Sequence, residues 1–218
     1  MLLATVLVIA VAAPLAWYVV LPQYRPGLQP GESYGVDVSN HQGEIDWPAV
    51  AADDIAFAYI KATEGGDFVD RRFVANWQGA ADAGLRRGAY HFFTLCRPGA
   101  EQAANFLATA PPDPSALAPA VDLELSGNCS DRPEQAAVIG ELEVFLEQVE
   151  QAWGRAALVY TNDDFDDLYP VRSLGRDLWE ATYYRRPEGD RWTVWQVTSL
   201  AAVDGVPGRV DLDLGRPR

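Results

Sequence analysis

Short apolar runs alternate with helical patterns along most of this chain, and that alternation constrains its fold more than any other feature. The runs cover residues 34–38, 55–60, 88–93, 118–125, 156–160, 177–181, 193–197 and 210–214, eight candidate strands. Between them, 73–83 has helical spacing and stops at Gly84, and 101–110 stops at Pro111-Pro112. The clearest helix is 133–153, where Val138, Leu142, Phe145, Leu146, Val149 and Trp153 recur at three and four. Asp131 is its expected cap, Pro133 fits its first turn, and Gly154 ends it. After Tyr160 the helices shrink, and the last three strands are joined by loops. Strand–helix alternation predicts a parallel sheet, and eight strands can close. The expected class is α/β: an incomplete TIM-like (β/α)5(β)3 barrel preceded by an N-terminal hydrophobic helix. Such barrels gather reactive groups at the carboxyl ends of their strands.

The chain divides into three parts. Residues 1–21 contain no charged side chain, and about 20 apolar residues span a bilayer, so this stretch reads as a membrane anchor or a cleaved signal. The signal reading lacks an Arg or Lys ahead of the apolar run, and its best cleavage site is Ala10-Val-Ala12. Residues 22–33 form a Pro/Gly-rich linker, and 34–218 form the barrel. Both N-terminal readings carry the barrel across the membrane, although Arg25 alone favours the opposite orientation. Net charge is −14, which disfavours nucleic acid and anionic lipid as partners. No basic run, zinc-type cysteine spacing or phosphate-cradling glycine loop is present, so no metal and no cofactor are expected. The two cysteines, Cys96 and Cys129, allow one disulfide or two buried thiols.

The chemistry-bearing residues are acids. In AVDLEL, Asp122 and Glu124 are two apart on a strand and share a face. Two neighbouring carboxyls repel when both are ionised, and one tends to keep its proton. Asp37 ends the first strand in GVDVSN, and Asp211 lies in the last, in RVDLDL. A barrel would bring these ends around one mouth. Converging carboxyls suit glycosidic bond cleavage, which needs a protonated donor and negative charge near an oxocarbenium-like centre. Each acid also has a structural reading: Asp37 as a turn cap, Asp122 as an acceptor of backbone N–H groups, and one of Asp211 and Asp213 as a solvated surface acid. The DDFDD run, 163–167, reads as a solvated loop face. Trp179, Tyr183, Trp192, Trp195, Tyr90 and Tyr59 offer flat faces that suit pyranose rings as well as cores. His91 reads as a satisfied packing histidine.

GVDVSNHQGEIDW, YIKATEG, GAYHF, AVDLEL, LVYTN, LWEATY, VWQVTS and VPGRVDLDLG, in this order over 34–214, resemble glycoside hydrolase family 25. The resemblance implies a (β/α)5(β)3 barrel and a lysozyme that hydrolyses the β-1,4 bond between N-acetylmuramic acid and N-acetylglucosamine in peptidoglycan. It implies Glu124 as general acid, Asp122 as its assistant, and Asp37 and Asp211 as further cleft acids. Asp211 is preferred over Asp213, which stands where many members have Asn. Lys61, Glu64, Tyr90, Trp179, Tyr183 and Trp195 become candidate sugar contacts. Action on cell wall implies export and favours a Cys96–Cys129 bridge between the loops after the third and fourth strands. A monomer is expected. Glu180 in LWEATY departs from the usual apolar residue, and nothing in the sequence explains it. The competing reading is a non-catalytic barrel that binds wall glycan.

Overall fold

Nine strands are present in the computed structural model, which describes residues 16–217. They are β1 (Ser33–Val38), β2 (Ile55–Glu64), β3 (Phe68–Val69), β4 (Arg86–Phe92), β5 (Ala120–Leu123), β6 (Leu158–Thr161), β7 (Leu178–Ala181), β8 (Trp192–Ala201) and β9 (Val210–Gly215). Eight of them close a barrel in the order β1-β2-β4-β5-β6-β7-β8-β9, and β9 pairs back onto β1. β3 is a two-residue hairpin mate of the end of β2. Helices α1 (Trp47–Ala52), α2 (Phe73–Asp82), α3 (Gly99–Thr109), α4 (Gln135–Trp153) and α5 (Asp163–Leu168) punctuate the first five barrel strands. No α-helix separates β7, β8 and β9, so the expected (β/α)5(β)3 architecture holds.

The sheet is not uniformly parallel. β9 runs antiparallel to both β8 and β1. Its N-terminal end, where Asp211 sits, therefore lies at the same mouth as the C-terminal ends of the parallel strands. β2 extends to Glu64, four residues beyond the expected run, and so carries Lys61 and Glu64. β5 ends at Leu123, which leaves Glu124 just past the strand.

Two apolar layers stabilise the barrel. Outward side chains such as Val36, Ile60, Val121, Val159 and Leu212 are fully buried within the larger core cluster, which also holds Phe106, Leu142 and Phe145 from the helices. Inward, Phe57, Tyr59, Leu158, Tyr160, Trp179 and Val194 fill the lumen. Two glycines make that filling possible. A Cβ on Gly35 would lie 2.2 Å from the Phe57 ring, and one on Gly88 would lie 2.3 Å from the Tyr59 ring. His91 faces outward, stacks on Phe145 with centroids 4.8 Å apart, and contacts Thr63 Oγ1 at 2.7 Å and Gln102 Oε1 at 3.1 Å. Burial pushes its pKa down to about 3, so it packs as a neutral ring. Its contribution to stability is present above its unfolded pKa and is lost as pH falls toward 3.

Several local expectations need correction. Asp131 does not cap α4; it lies exposed in the loop after Cys129, and Glu134 precedes the helix without a side-chain cap. Gly154 does end α4, in the left-handed region at φ 65°. The DDFDD run is not a solvated loop but the helix α5, capped by Asn162 Oδ1, which accepts from Phe165 N at 2.9 Å. Its Asp163 and Asp166 pair with Arg172 at 2.9 and 3.2 Å. The same guanidinium holds Glu180 through Nε to Oε1 at 3.0 Å and Nη2 to Oε2 at 2.7 Å. That accounts for an acid on the outward face of β7: it anchors the segment between β6 and β7.

The expected N-terminal hydrophobic helix falls largely on residues 1–15, outside the described ones. The described part begins with one helical turn, Ala16–Val20, and a 3-10 turn, Leu21–Gln23. No helix among the described residues is long and apolar enough to cross a membrane. The segment expected as a linker lies along the barrel. Pro22 O accepts from Ala202 N at 2.9 Å, Arg25 pairs with Asp53 at 2.6 Å, and Glu32 pairs with Arg186 at 2.6 Å.

Cys96 and Cys129 form a disulfide with 33 residues of sequence separation, joining the loops after β4 and β5. Closing a loop of that length restricts the unfolded chain and stabilises by roughly 2–4 kcal/mol. Replacing both cysteines by serine is expected to lower the unfolding free energy by about that amount, measured by urea titration. A Gly88→Ala change is expected to cost about 1–3 kcal/mol by overpacking against Tyr59, read by the same titration.

Candidate active site

The barrel opens into a cavity of about 530 Å³ at the end where the parallel strands finish. Alternation along each strand decides which side chains reach it. In β1, Gly35 and Asp37 face inward; in β5, Ala120 and Asp122 do. The antiparallel register sets Asp211 of β9 opposite Asp37 of β1. Asp37, Asp122, Glu124 and Asp211 therefore line one cavity, from the first, fourth and last barrel strands. Expected singly from separate motifs, all four meet.

Their environment raises every proton affinity. Burial, followed by the charges of Asp211 and Asp213, pushes Asp37 well above the usual carboxylate range. Burial and then Glu124 do the same to Asp122. Glu124 is raised by burial and by Glu64, against a lowering influence from Lys61. Asp211 is pushed up to about 7 by burial and then by Glu124. Among the residues lining the cavity, Lys61 is the only Lys or Arg. It is engaged by Glu64 at 2.7 Å and lies over the Phe92 ring at 4.8 Å. One partly neutralised cation facing four carboxyls leaves the cavity strongly negative when they ionise.

The expected sugar contacts divide. Lys61, Glu64, Tyr90, Trp179 and Tyr183 all line the cavity. Tyr183 is 52% exposed at the rim, whereas Trp179 is 2% exposed and lies in the floor. Trp195 does not reach it. The register pairs Gln196 with Asp213 and Trp195 with Leu214, so Gln196 faces in and Trp195 faces out. Trp195 is 1% exposed and donates its Nε1–H to Thr182 O at 2.9 Å, bracing the loop that carries Tyr183. Asp213 is not a surface acid either: it is 0% exposed inside the barrel and accepts from Trp179 Nε1 at 2.9 Å. Nor does Asp37 cap the following turn. Ser39 does so, through a reciprocal box with Gln42.

Some functional positions lie outside the sequence reading. Gln196 Nε2 donates to Asp37 Oδ2 at 3.1 Å, and Tyr160 Oη donates to Gln196 Oε1 at 3.0 Å. Period-two alternation across VWQVTS, anchored on its register with β9, would have chosen Gln196 over the larger aromatic beside it. Asn128 uses both ends of its amide. Its Oδ1 accepts from Leu95 N at 2.9 Å and Cys129 N at 3.0 Å. Its Nδ2 donates to Phe93 O at 2.8 Å and to the carbonyl of Glu124 at 3.1 Å. Together with the adjoining disulfide, it fixes the backbone on which Glu124 stands. No motif signals such a role.

Asp122 Oδ1 is buried and has no hydrogen-bond partner among the described residues, which suits it to take a donor from a bound molecule. The ensemble can therefore hold a protonated carboxyl beside ionisable neighbours in one cleft. That is the chemistry of acid-assisted cleavage of an acetal bond.

Residues 36–206 match Glycosyl hydrolases family 25. The uncharacterised protein YegX of Escherichia coli (strain K12) is 35% identical over 193 residues, covering 83% of this chain and 68% of YegX. Lysozyme M1 of Streptomyces globisporus is 31% identical over 195 residues, covering 81% of this chain and 65% of that protein. Among solved structures, a family 25 glycosyl hydrolase from Bacillus anthracis superposes with a TM-score of 0.79 at 32% identity, covering 88% of this chain and 93% of the other. The bacterial lysozyme from Streptomyces coelicolor does so with a TM-score of 0.75 at 28% identity, covering 85% and 92%. The barrel topology, the acid-lined mouth and these likenesses agree: the chain belongs to glycosyl hydrolases family 25.

Proposed function

We propose that this protein is a lysozyme that hydrolyses the β-1,4 bond between N-acetylmuramic acid and N-acetylglucosamine in peptidoglycan. The observation that carries this reading is the meeting of Asp37, Asp122, Glu124 and Asp211 in one cavity of a family 25 barrel. Glu124 stands past the end of β5, nearest the opening of its pair, and burial favours its protonated form. It serves as the general acid and gives its proton to the leaving oxygen. Asp122, with an unpartnered Oδ1, accepts from the substrate's acetamide N–H and orients that group toward the anomeric carbon. Asp37 and Asp211 supply negative potential at the developing positive charge. Tyr90 and Tyr183 give flat faces to the sugar rings, and the Lys61–Glu64 pair bonds to polar substituents at one wall. The non-catalytic alternative has no observation in its favour: no arginine caps the acids, and Glu124 forms no ion pair among the described residues.

The substrate lies outside the cytoplasm, and export follows from the reaction. We infer that residues 1–21 serve as a membrane anchor or a cleaved signal, and that 22–33 lead into a barrel at 34–218 that acts as a monomer. Cell fractionation with N-terminal sequencing of the mature protein decides between them: a membrane-bound chain that keeps residue 1 marks an anchor, and a soluble chain starting near residue 13 marks a cleaved signal, while a soluble cytoplasmic chain that keeps residue 1 would reject both.

Glu124→Gln keeps the shape of the side chain and removes its proton. It is expected to lower kcat on purified peptidoglycan by roughly 10²–10⁴-fold, the usual worth of a general acid, with the fold intact by circular dichroism. Wild-type turnover in that variant would reject the assignment, as would new reducing ends on N-acetylglucosamine rather than N-acetylmuramic acid. The pH profile has a definite sign. Glu124 works protonated, so kcat/KM falls as pH rises through its ionisation. Asp211, pushed up to about 7 by burial and then by Glu124, adds charge beside Glu124 when it ionises. Asp211→Asn is expected to remove one ionisation near neutrality from that profile. The same raised acid makes folding stability fall as pH rises from about 4 toward 7, since the folded state holds the proton longer. Asp211→Asn should flatten that slope in thermal melts.

A further inference from the structure

Of the tyrosines and tryptophans that line the cavity, Tyr183 is the exposed one, and it stands on the loop between β7 and β8. Its neighbour Tyr184 is held in the left-handed region at φ 59°. A residue other than glycine stays there only where its surroundings require it. On the barrel side, Tyr184 N donates to Val197 O at 2.8 Å, and its hydroxyl meets Thr198 Oγ1 at 2.7 Å. The other side of the loop is gripped by residues 24–32. The rings of Tyr24 and Tyr184 meet edge-on with centroids 5.5 Å apart. Arg186 Nη1 donates to Glu32 Oε1 at 2.6 Å, and its Nη2 donates to Gly27 O at 3.0 Å.

This grip is a built one. The Glu32 side chain is 1% exposed, and a carboxylate so buried needs its cation and its hydrogen bonds. Its Oε2 accepts from Gln29 N at 2.7 Å, which closes the turn that carries it. The Arg186 guanidinium lies over the Trp192 and Trp195 rings at 5.6 and 5.4 Å, so both of its faces are used in holding one place. Residues 24–32 are in turn fixed to the barrel away from the loop. Arg25 donates to the carboxylate of Asp53 at 2.6 Å and to its carbonyl at 2.9 Å, and Tyr34 Oη of β1 donates to Pro26 O at 2.6 Å. The whole stretch precedes residues 36–206, which match the family, so the family match does not account for it.

We propose that residues 24–32 are a brace for substrate binding: Tyr24 and Glu32 are positioning residues that hold Tyr184 and Arg186, and through them set Tyr183 at the rim of the cavity. An exposed aromatic on a free loop would have to be ordered each time a sugar ring settled on it; a braced one is ordered beforehand, and the entropy cost of binding is lower. The segment between the N-terminal apolar stretch and the barrel thus belongs to the binding machinery rather than serving as a spacer. The inference rests on the reading of Tyr183 as a sugar contact, but the state of the loop can be read without turnover.

The test compares wild type, Tyr24→Ala, Tyr24→Phe and Glu32→Gln, with Tyr24→Ala also placed in a Tyr183→Ala background. Amide hydrogen exchange reads the loop directly. The N–H groups of Tyr184 and Arg185, bonded to Val197 O and Thr182 O, are expected to exchange faster in Tyr24→Ala and Glu32→Gln, while those of the barrel strands do not change. On soluble peptidoglycan fragments, Tyr24→Ala should raise KM roughly twofold to tenfold with little change in kcat, the worth of one aromatic pair. Tyr24→Phe keeps the ring and should behave as wild type. Once Tyr183 is alanine, Tyr24→Ala should have no further effect on KM. Unchanged exchange at Tyr184 and Arg185 in both variants would overturn the proposal, and so would a KM rise of the same size in the Tyr183→Ala background. A loop that loosens as expected in a protein whose wild type has no lytic activity would instead refute the proposed function and leave the brace standing.

Discussion

Five carboxyls share the interior of one β-barrel, and their mutual repulsion is the constraint that the rest of the structure has to meet. Asp37, Asp122, Glu124, Asp211 and Asp213 are drawn from three strands and a strand end, in a lumen floored by Tyr59, Tyr160 and Trp179. Each acid that loses water and gains an anionic neighbour holds its proton to higher pH. The site therefore carries its acid form through burial rather than through any added group. The same burial opposes folding whenever the protons leave, so apolar packing elsewhere must outweigh it. The fully buried outer layer of Val, Ile and Leu from the strands, closed over by Phe106, Leu142 and Phe145, supplies that packing.

Neutral donors and a single restrained cation keep the cluster workable. Gln196 and Trp179 bond to acids without bringing charge, and Tyr160 holds Gln196 in turn. Lys61 could draw protons off both Asp122 and Glu124, but Glu64 at 2.7 Å tempers it. The backbone under Glu124 is held by Asn128 and by the disulfide beside it. The proposed general acid thus stands on a loop tied at several points, which limits how far it can drift.

Much of this was legible along the chain because period-two alternation and turn residues are local. The eight barrel strands, the helix ending at Gly154, the packing role of His91 and the four cleft acids follow from such patterns. Other features resisted for physical reasons. Trp195 looked like a sugar contact because size and chemistry draw the eye, yet the face it occupies is set by pairing with Leu214. Asp213 reads as a surface acid because a lone carboxylate rarely survives burial; in the fold it accepts the Nε1–H of Trp179. Glu180 has no explanation in its local pattern; its partner Arg172, eight residues earlier, is folded onto it. DDFDD read as solvated because three-dimensional proximity to that arginine leaves no trace in the local pattern.

The sequence by itself determined the order and number of barrel strands, the class of fold and the residue types able to perform acid-assisted cleavage, since each depends on spacing along the chain. Tertiary structure alone decided which acids meet. Asp211 begins its strand, and in an all-parallel barrel it would lie at the far end from Asp37. The reversal of β9 between β1 and β8 brings it to the mouth, because an antiparallel register pairs the start of one strand with the end of its neighbour. Closure likewise chose Gln196 over Trp195, through its bond to Asp37, a residue more than a hundred and fifty positions away.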